Sequence, residues 1–137
     1  MLSNAPVAPT LPVTDMARAR RFYEEKLGLK PSNLKTQASE MYYDCGMGTK
    51  LMLYQRPMPS ACDHTAADFM VEDIEKEAKE LRSKGIVFEE YDIPEMGIKT
   101  VNGIATMNGF KGAWFKDPDG NILAIGQVAR VPAGTAR

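Results

Sequence analysis

Charge of one sign, cysteine, histidine and long apolar runs are all scarce in this sequence. Lys and Arg total 17 against 18 for Asp and Glu, a formal net charge of -1. No strong field therefore favours nucleic acid or an anionic membrane surface, and neither is expected as a partner. The only cysteines, Cys45 and Cys62, have neither a paired-motif spacing nor a disulfide-dense context. They read as two reduced, partly buried thiols. No apolar stretch approaches the roughly 18 to 20 residues that span a bilayer. The opening Met1-Leu2-Ser3-Asn4-Ala5-Pro6 lacks a basic segment followed by an apolar one, so no secretory leader is expected and a cytoplasmic location is. A Gly-rich phosphate loop, a nucleophile elbow and a Cys-x-x-Cys pair are also missing, which removes the commonest phosphate, acyl-transfer and redox signatures.

What is present is ordinary for a globular protein: 137 residues, 44% hydrophobic and 26% charged. That length and balance suit one self-folding domain with a real core. The most informative feature is an internal echo. Leu11-Pro12-Val13-Thr14-Asp15 leads into Met16 to Leu27 and stops at Gly28, while Phe69-Met70-Val71-Glu72-Asp73 leads into Ile74 to Lys84 and stops at Gly85. Each copy reads as strand, cap, helix and glycine. The Asp carboxylate accepts from the unpaired N–H groups of the first turn, and the Gly takes the left-handed conformation that ends the helix. Ala19, Phe22, Tyr23 and Leu27 in one helix, and Ile74, Ala78 and Leu81 in the other, recur at helical spacing and give each an apolar face.

Short strand-like runs follow each helix. They are Met41 to Cys45 and Lys50 to Gln55 in the first half, then Val87 to Tyr91, Lys111 to Lys116 and Asn121 to Ile125 in the second. Asp117-Pro118-Asp119-Gly120-Asn121 predicts a tight turn, in which Asp117 and Asp119 have structural roles. Pro57-Met58-Pro59-Ser60 reads as an extended linker, because each proline removes a donor and disfavours helix before it. A first module of about residues 5–56, a linker of about 57–62 and a second module of about 63–130 follow. The stretch from Pro94 through Gly109 reads as a long loop with one strand, and the tail from Val131 as loose.

Two βαβββ units, a Val-x-Asp helix entry in each and Asp-Pro-Asp-Gly-Asn before the last strand together resemble the vicinal oxygen chelate (glyoxalase/bleomycin resistance protein/dioxygenase) superfamily. The resemblance covers most of the chain, with Leu11 to Pro31 and Gly112 to Gln127 as its best segments. It implies an α+β fold of two βαβββ modules whose curved sheets surround a pocket, often completed by a second subunit. A homodimer is therefore expected. Metal-dependent members place four ligands, usually His, Gln or Glu, on the first and last strands of the modules. Counted onto this sequence, those positions fall on Ala8, on or near Met52, on Ala66 and on Ala124. Three alanines and a thioether cannot supply the converging N, O or S donors that a divalent ion requires. The resemblance thus implies no metal and no other cofactor.

Several residues nonetheless suit a pocket. His64, the only histidine, precedes Ala66 by two residues and Asp68 follows it by two, so strand alternation puts them on one notional side. His64 is either a pocket acid/base or a linker histidine, and His64 with Asp68 could orient a polar ligand. The resemblance implies that Trp114 and Ile122 turn into the pocket, with Ala124 two residues beyond Ile122 on the same face, which suggests an apolar floor; the indole offers a stacking surface and one N–H donor, with core filling as the alternative for Trp114. Met52 and Tyr54 alternate along one strand face, and Met107 borders the cavity from the long loop, unless these are plain core residues. Arg18, Arg20 and Arg21 read as a solvated helix face, with Arg21 near Glu24 and Glu25.

Three functions remain open on these grounds. One is a metal-free protein that binds a small, partly apolar molecule, aromatic or antibiotic-like. Another is a lyase, isomerase or dioxygenase-type enzyme, using shifted ligands such as Glu40, His64 and Asp68 or metal-free acid/base chemistry. The third is a structural or regulatory interaction module.

Overall fold

The computed structural model describes residues 1–34 and 36–128. The expectation for the tail lies outside the described residues. The chain divides into two compact units, one of residues 1–67 with 116–122, the other of 68–115 with the chain from 123 onward.

In the first unit, β1 (Thr10–Val13) runs into helix α1 (Met16–Arg20), which continues as a wider π-type turn over Arg21–Lys26. The Asp15 side chain accepts from the Arg18 N–H as the cap expected from the sequence. The Leu27 N–H donates to the Phe22 carbonyl five residues back, and Gly28, at φ +74°, closes the helix. Strands β2 (Lys30–Pro31), β3 (Glu40–Asp44) and β4 (Lys50–Gln55) follow, and the sheet order is β1-β4-β3-β2. β1 pairs in parallel with β4, while β3 is antiparallel to β4 and to β2. Leu11, Val13, Ala19, Phe22, Tyr23, Tyr43, Leu51 and Leu53 are buried and form the core of this unit. The Tyr23 and Tyr43 rings stack at 6.2 Å. Since Tyr43 faces α1, alternation places Glu40, Tyr42, Met52 and Tyr54 on the opposite face of the sheet.

Residues 116–122 belong with this unit because the turn they carry is bonded into it. Asp117 is 5% exposed and accepts from the Tyr23 hydroxyl at 2.6 Å. It also accepts from the Asn121 side-chain amide at 2.8 Å and from the backbone N–H groups of Asp119 and Asn121, both at 2.9 Å. Asn121 in turn donates to the Pro12 carbonyl on β1 at 2.9 Å. Asp119 accepts from the Thr14 hydroxyl at 2.5 Å and pairs with Arg18 at 3.0 Å. The structural reading of both aspartates is correct, but the turn does more than reverse the chain. Arg18 is thus drawn into this network, and Arg20, rather than Arg21, pairs with Glu24, at 2.6 Å. The i,i+4 spacing explains that choice.

Burial, reinforced by the Asp117 charge, pushes the Tyr23 phenol well above its ordinary range. Burial and the hydrogen bond to Glu24 do the same for Tyr43. Both groups therefore keep their protons when folded at pH values where the unfolded chain, titrating near 10, has lost them. Their contribution is fully present below about pH 10 and is lost as pH rises above it, at roughly 1.4 kcal/mol per pH unit for each tyrosine. Urea unfolding should give a flat stability from pH 7 to 9 and a steep fall between 10 and 11, shallower in Tyr23→Phe. A stability unchanged to pH 11 would contradict the burial of these phenols.

The second unit begins within β5 (Thr65–Met70), at Asp68, and β5 leads to α2 (Ile74–Ser83), capped by Asp73 accepting from the Lys76 N–H. The chain continues through β6 (Asp92–Ile93), β7 (Ile98–Val101), β8 (Ile104–Met107), β9 (Phe110–Lys116) and β10 (Ile122–Val128). The sheet order is β5-β10-β9-β8-β7-β6. Ile74, Ala78 and Leu81 of α2 are buried, and α2 is tied to one sheet face by Lys111 to Glu75 at 2.6 Å and by Gln127 to the Ile74 N–H at 2.8 Å.

Two expectations are corrected here. The stretch from Pro94 through Gly109 is not a loop with one strand but a meander of two, β7 and β8, leading into β9. It is turned by Asn102-Gly103 and Asn108-Gly109, all four residues at positive φ as type I′ hairpins require. The run Val87 to Tyr91 forms no ladder: Phe88 bridges to Phe115, the Glu89 N–H donates to the Trp114 carbonyl at 2.7 Å and the Tyr91 carbonyl accepts from the Thr100 N–H at 2.8 Å. The new hairpin explains this, because β8 occupies the edge of β9 from Phe110 to Ala113. The thiols also differ from expectation: Cys45 is half-buried, which raises its pKa, but Cys62 is exposed. No helix among the described residues is long and apolar enough to cross a membrane.

Candidate functional site

Lys111 and Gln127 reach α2, so alternation places Phe110, Gly112 and Trp114 of β9, and Ala124 and Gly126 of β10, on the other face of the second sheet. Cross-strand register adds Ala105, opposite Gly112, and Met107, opposite Phe110. The glycines bring side chains together across this face. A side-chain carbon at Gly112 would sit 3.2 Å from the tip of the Trp114 indole and 3.3 Å from the Phe110 ring. One at Gly126 would lie 3.1 and 3.3 Å from the two Asp68 carboxylate oxygens and 3.5 Å from the other edge of Phe110. Tyr91 packs edge-on to Trp114 with ring centroids 5.6 Å apart. Asp68, Phe110, Trp114 and Tyr91 thus form one strip, joined over two glycines.

Within that strip Asp68 stands out electrostatically. It accepts no hydrogen bond and makes no ion pair among the described residues, and partial burial alone pushes its carboxyl pKa up. Trp114, Phe110, Tyr91 and Met107 are half-buried, whereas Ala124 is 4% exposed and lies beneath rather than lining an opening.

The remaining residues singled out from the sequence fall in the first unit. Met52 and Tyr54 are half-buried on β4, sharing their face with Tyr42 and Glu40 through the registers Tyr42 to Met52 and Glu40 to Tyr54. Ile122 is buried. His64 is exposed, with Nδ1 3.0 Å from the Thr65 carbonyl oxygen. That carbonyl, and secondarily the Cys62 thiol, raise the imidazole pKa. Phe110, Gly112, Gly126 and Tyr91 were not singled out from the sequence. Extending the period of two backwards from Trp114 and onwards from Ala124 finds the first three.

A metal does not fit the donor set. Ala8 precedes β1, Ala66 lies on β5, Met52 on β4 and Ala124 on β10, so the fold places no nitrogen or oxygen side-chain donor at any of these positions. Among the described residues no three His, Cys, Asp or Glu side chains group as a metal site.

A cleft of about 570 Å³ lies instead on the α2 side of the second sheet, lined by Glu75, Arg82, Lys99, Val101, Ile104 and Thr106 among others. Its charges are satisfied internally. Arg82 donates to the Asn102 carbonyl and lies over the Phe88 ring, Lys99 pairs with Asp92, and Glu75 with Lys111. The aromatic strip, with its unpaired carboxylate, offers a ligand more.

Similar folds occur in solved structures. A virulence protein from Salmonella typhimurium is 26% identical with a TM-score of 0.64, covering 94% of this chain and 100% of its own. TnmS3, an antibiotic-binding protein from a Streptomyces species, is 19% identical with a TM-score of 0.68 over 94% and 99%. A lactoylglutathione lyase from Agrobacterium tumefaciens is 20% identical with a TM-score of 0.64 over 90% and 93%. No curated protein matches the sequence significantly. The model of the Glyoxalase/Bleomycin resistance protein/Dioxygenase superfamily matches residues 6–125, which span both strand, cap, helix and glycine units and the Asp117 to Asn121 turn, and the chain belongs to that superfamily.

Proposed function

We propose that this chain is a metal-free small-molecule-binding protein that takes a planar aromatic, antibiotic-like ligand on the strip around Trp114. The observation that carries this reading is the run of three aromatic rings, Phe110, Trp114 and Tyr91, lying on the sheet face away from α2. An indole flanked by two rings presents a flat apolar surface that rewards stacking by another flat molecule. Met107, placed opposite Phe110, adds an adaptable thioether side chain at the end of the strip. The absence of a converging donor set at the superfamily's metal positions favours binding over Lewis-acid chemistry. The antibiotic-binding relative supplies the ligand class, on fold likeness alone.

The test is a thermal-shift and calorimetric screen of planar aromatic compounds, bleomycin included, against the wild-type protein and Trp114→Ala. At least one compound should raise the melting temperature. Trp114→Ala should weaken its binding by about 5- to 30-fold, the loss of roughly 1 to 2 kcal/mol of ring contact. A screen without a single stabilising compound, or full affinity in Trp114→Ala, would sink the proposal.

A further inference from the structure

The strip joins two kinds of group that seldom lie side by side without a purpose. The Asp68 carboxylate and one edge of Phe110 meet at Gly126, while the other edge of Phe110 and the Trp114 indole meet at Gly112. Any side chain at position 126 would start 3.1 Å from a carboxylate oxygen, so glycine there leaves the carboxylate room beside β10. The carboxylate is held there without a cation: no Lys, Arg or His pairs with it, and it accepts no hydrogen bond among the described residues. Glu75 with Lys111, Asp92 with Lys99 and Glu24 with Arg20 are carboxylates that do have a cation. The carboxylate and the Phe110 edge meet over one glycine, so a group that touches the ring there also lies against a negative charge, and the group that complements both is a cation.

We propose that the ligand of this face is an aromatic cation, its ring system stacked along Trp114 and Phe110 and its positive charge set against the Asp68 carboxylate beside Gly126. This rests on the reading of the strip as a small-molecule site and adds the charge of the ligand to it. Electrostatics and stacking act on one molecule here. The negative faces of the Phe110 and Trp114 rings attract a delocalised cation in the same place that the carboxylate does. An anion of the same shape meets repulsion from Asp68, and a neutral one gains only the stacking. Selectivity by charge follows from one residue, and specificity of this kind is a difference between affinities.

Three acridines of nearly equal shape separate these contributions at about pH 8, well above the ordinary carboxylate range. They are 9-aminoacridine, a cation; acridine, neutral; and acridine-9-carboxylate, an anion. Calorimetry should show the cation binding at least tenfold more tightly than the neutral probe and the anion most weakly. The preference should shrink as salt is raised. In Asp68→Asn, which removes a charge without a protein partner and should fold normally, the cation should lose its advantage while the neutral probe binds as before. Trp114→Ala should weaken the cation and the neutral probe alike. Equal binding of all three probes by the wild type, or a preference that survives Asp68→Asn, would overturn the charge assignment and leave the aromatic site standing. Failure of every probe to bind would remove both.

Discussion

Asp117→Ala is expected to destabilise the protein by about 3 to 5 kcal/mol, measured as the change in urea unfolding free energy at neutral pH. The carboxylate is 5% exposed and accepts four hydrogen bonds, from the Tyr23 hydroxyl, the Asn121 amide and two backbone N–H groups. Alanine deletes the acceptor and leaves the donors behind. The Tyr23 hydroxyl has no other place to turn, since its residue is wholly buried. Each stranded donor costs about 1 to 3 kcal/mol, and bonds to a charged acceptor are the stronger kind. Such a loss takes a third or more of the stability typical of a single domain. Asp117→Asn should cost less, because its remaining carbonyl oxygen still accepts. A change below about 1 kcal/mol for the alanine variant would show that the turn is held by its backbone alone.

Gly103→Ala carries the second large effect, about 2 to 4 kcal/mol. Gly103 sits at φ +79°, where any L-residue is strained. An added methyl would lie 2.7 Å from the Phe88 Cβ and 3.2 Å from an Arg82 nitrogen. The Phe88 Cβ is fixed by its backbone and cannot swing aside, so the hairpin must move. Gly97 provides the control, because it has a similar φ of +67° but nothing within 4 Å of an added carbon. Gly97→Ala should therefore show the backbone strain alone, about 1 kcal/mol. Equal costs at both positions would mean that the Phe88 contact gives way freely.

The contrast between those two glycines also shows what the sequence could convey. Caps at Asp15 and Asp73, apolar helix faces and strands at Lys50–Gln55 depend on neighbours within a few residues, and all were legible. The β7–β8–β9 meander was legible too, through Asn102-Gly103 and Asn108-Gly109, but the glycines were weighed as loop residues rather than as hairpin turns. Val87 to Tyr91 has strand character without a ladder, because a competing strand takes the edge it needs, and local propensity carries no trace of that competition. For the site, the resemblance implied pocket positions for Trp114 and Ile122, and period-two alternation along each strand adds Ala124 and extends to Phe110, Gly112 and Gly126. That the Asp68 carboxylate lies against Gly126 depends on how two strands far apart in sequence come side by side, which no spacing records.

The turn at Asp117 to Asn121 also sets a schedule for the chain as it leaves the ribosome. Tyr23 finds its acceptor 94 residues later, Thr14 its carboxylate 105 residues later and Pro12 its amide donor 109 residues later. The first βαβββ segment emerges early, yet the hydroxyl at its centre lacks its protein acceptor until the Asp117 turn has been made. Contacts of such long range are formed late and slowly, because a large loop must close before they contribute. Completion of the early half is therefore expected to wait for the turn, rather than to follow directly the usual order from the N-terminus onward. Until then the stacked pair of Tyr23 and Tyr43 is without the bond to Asp117 that holds it in the finished fold.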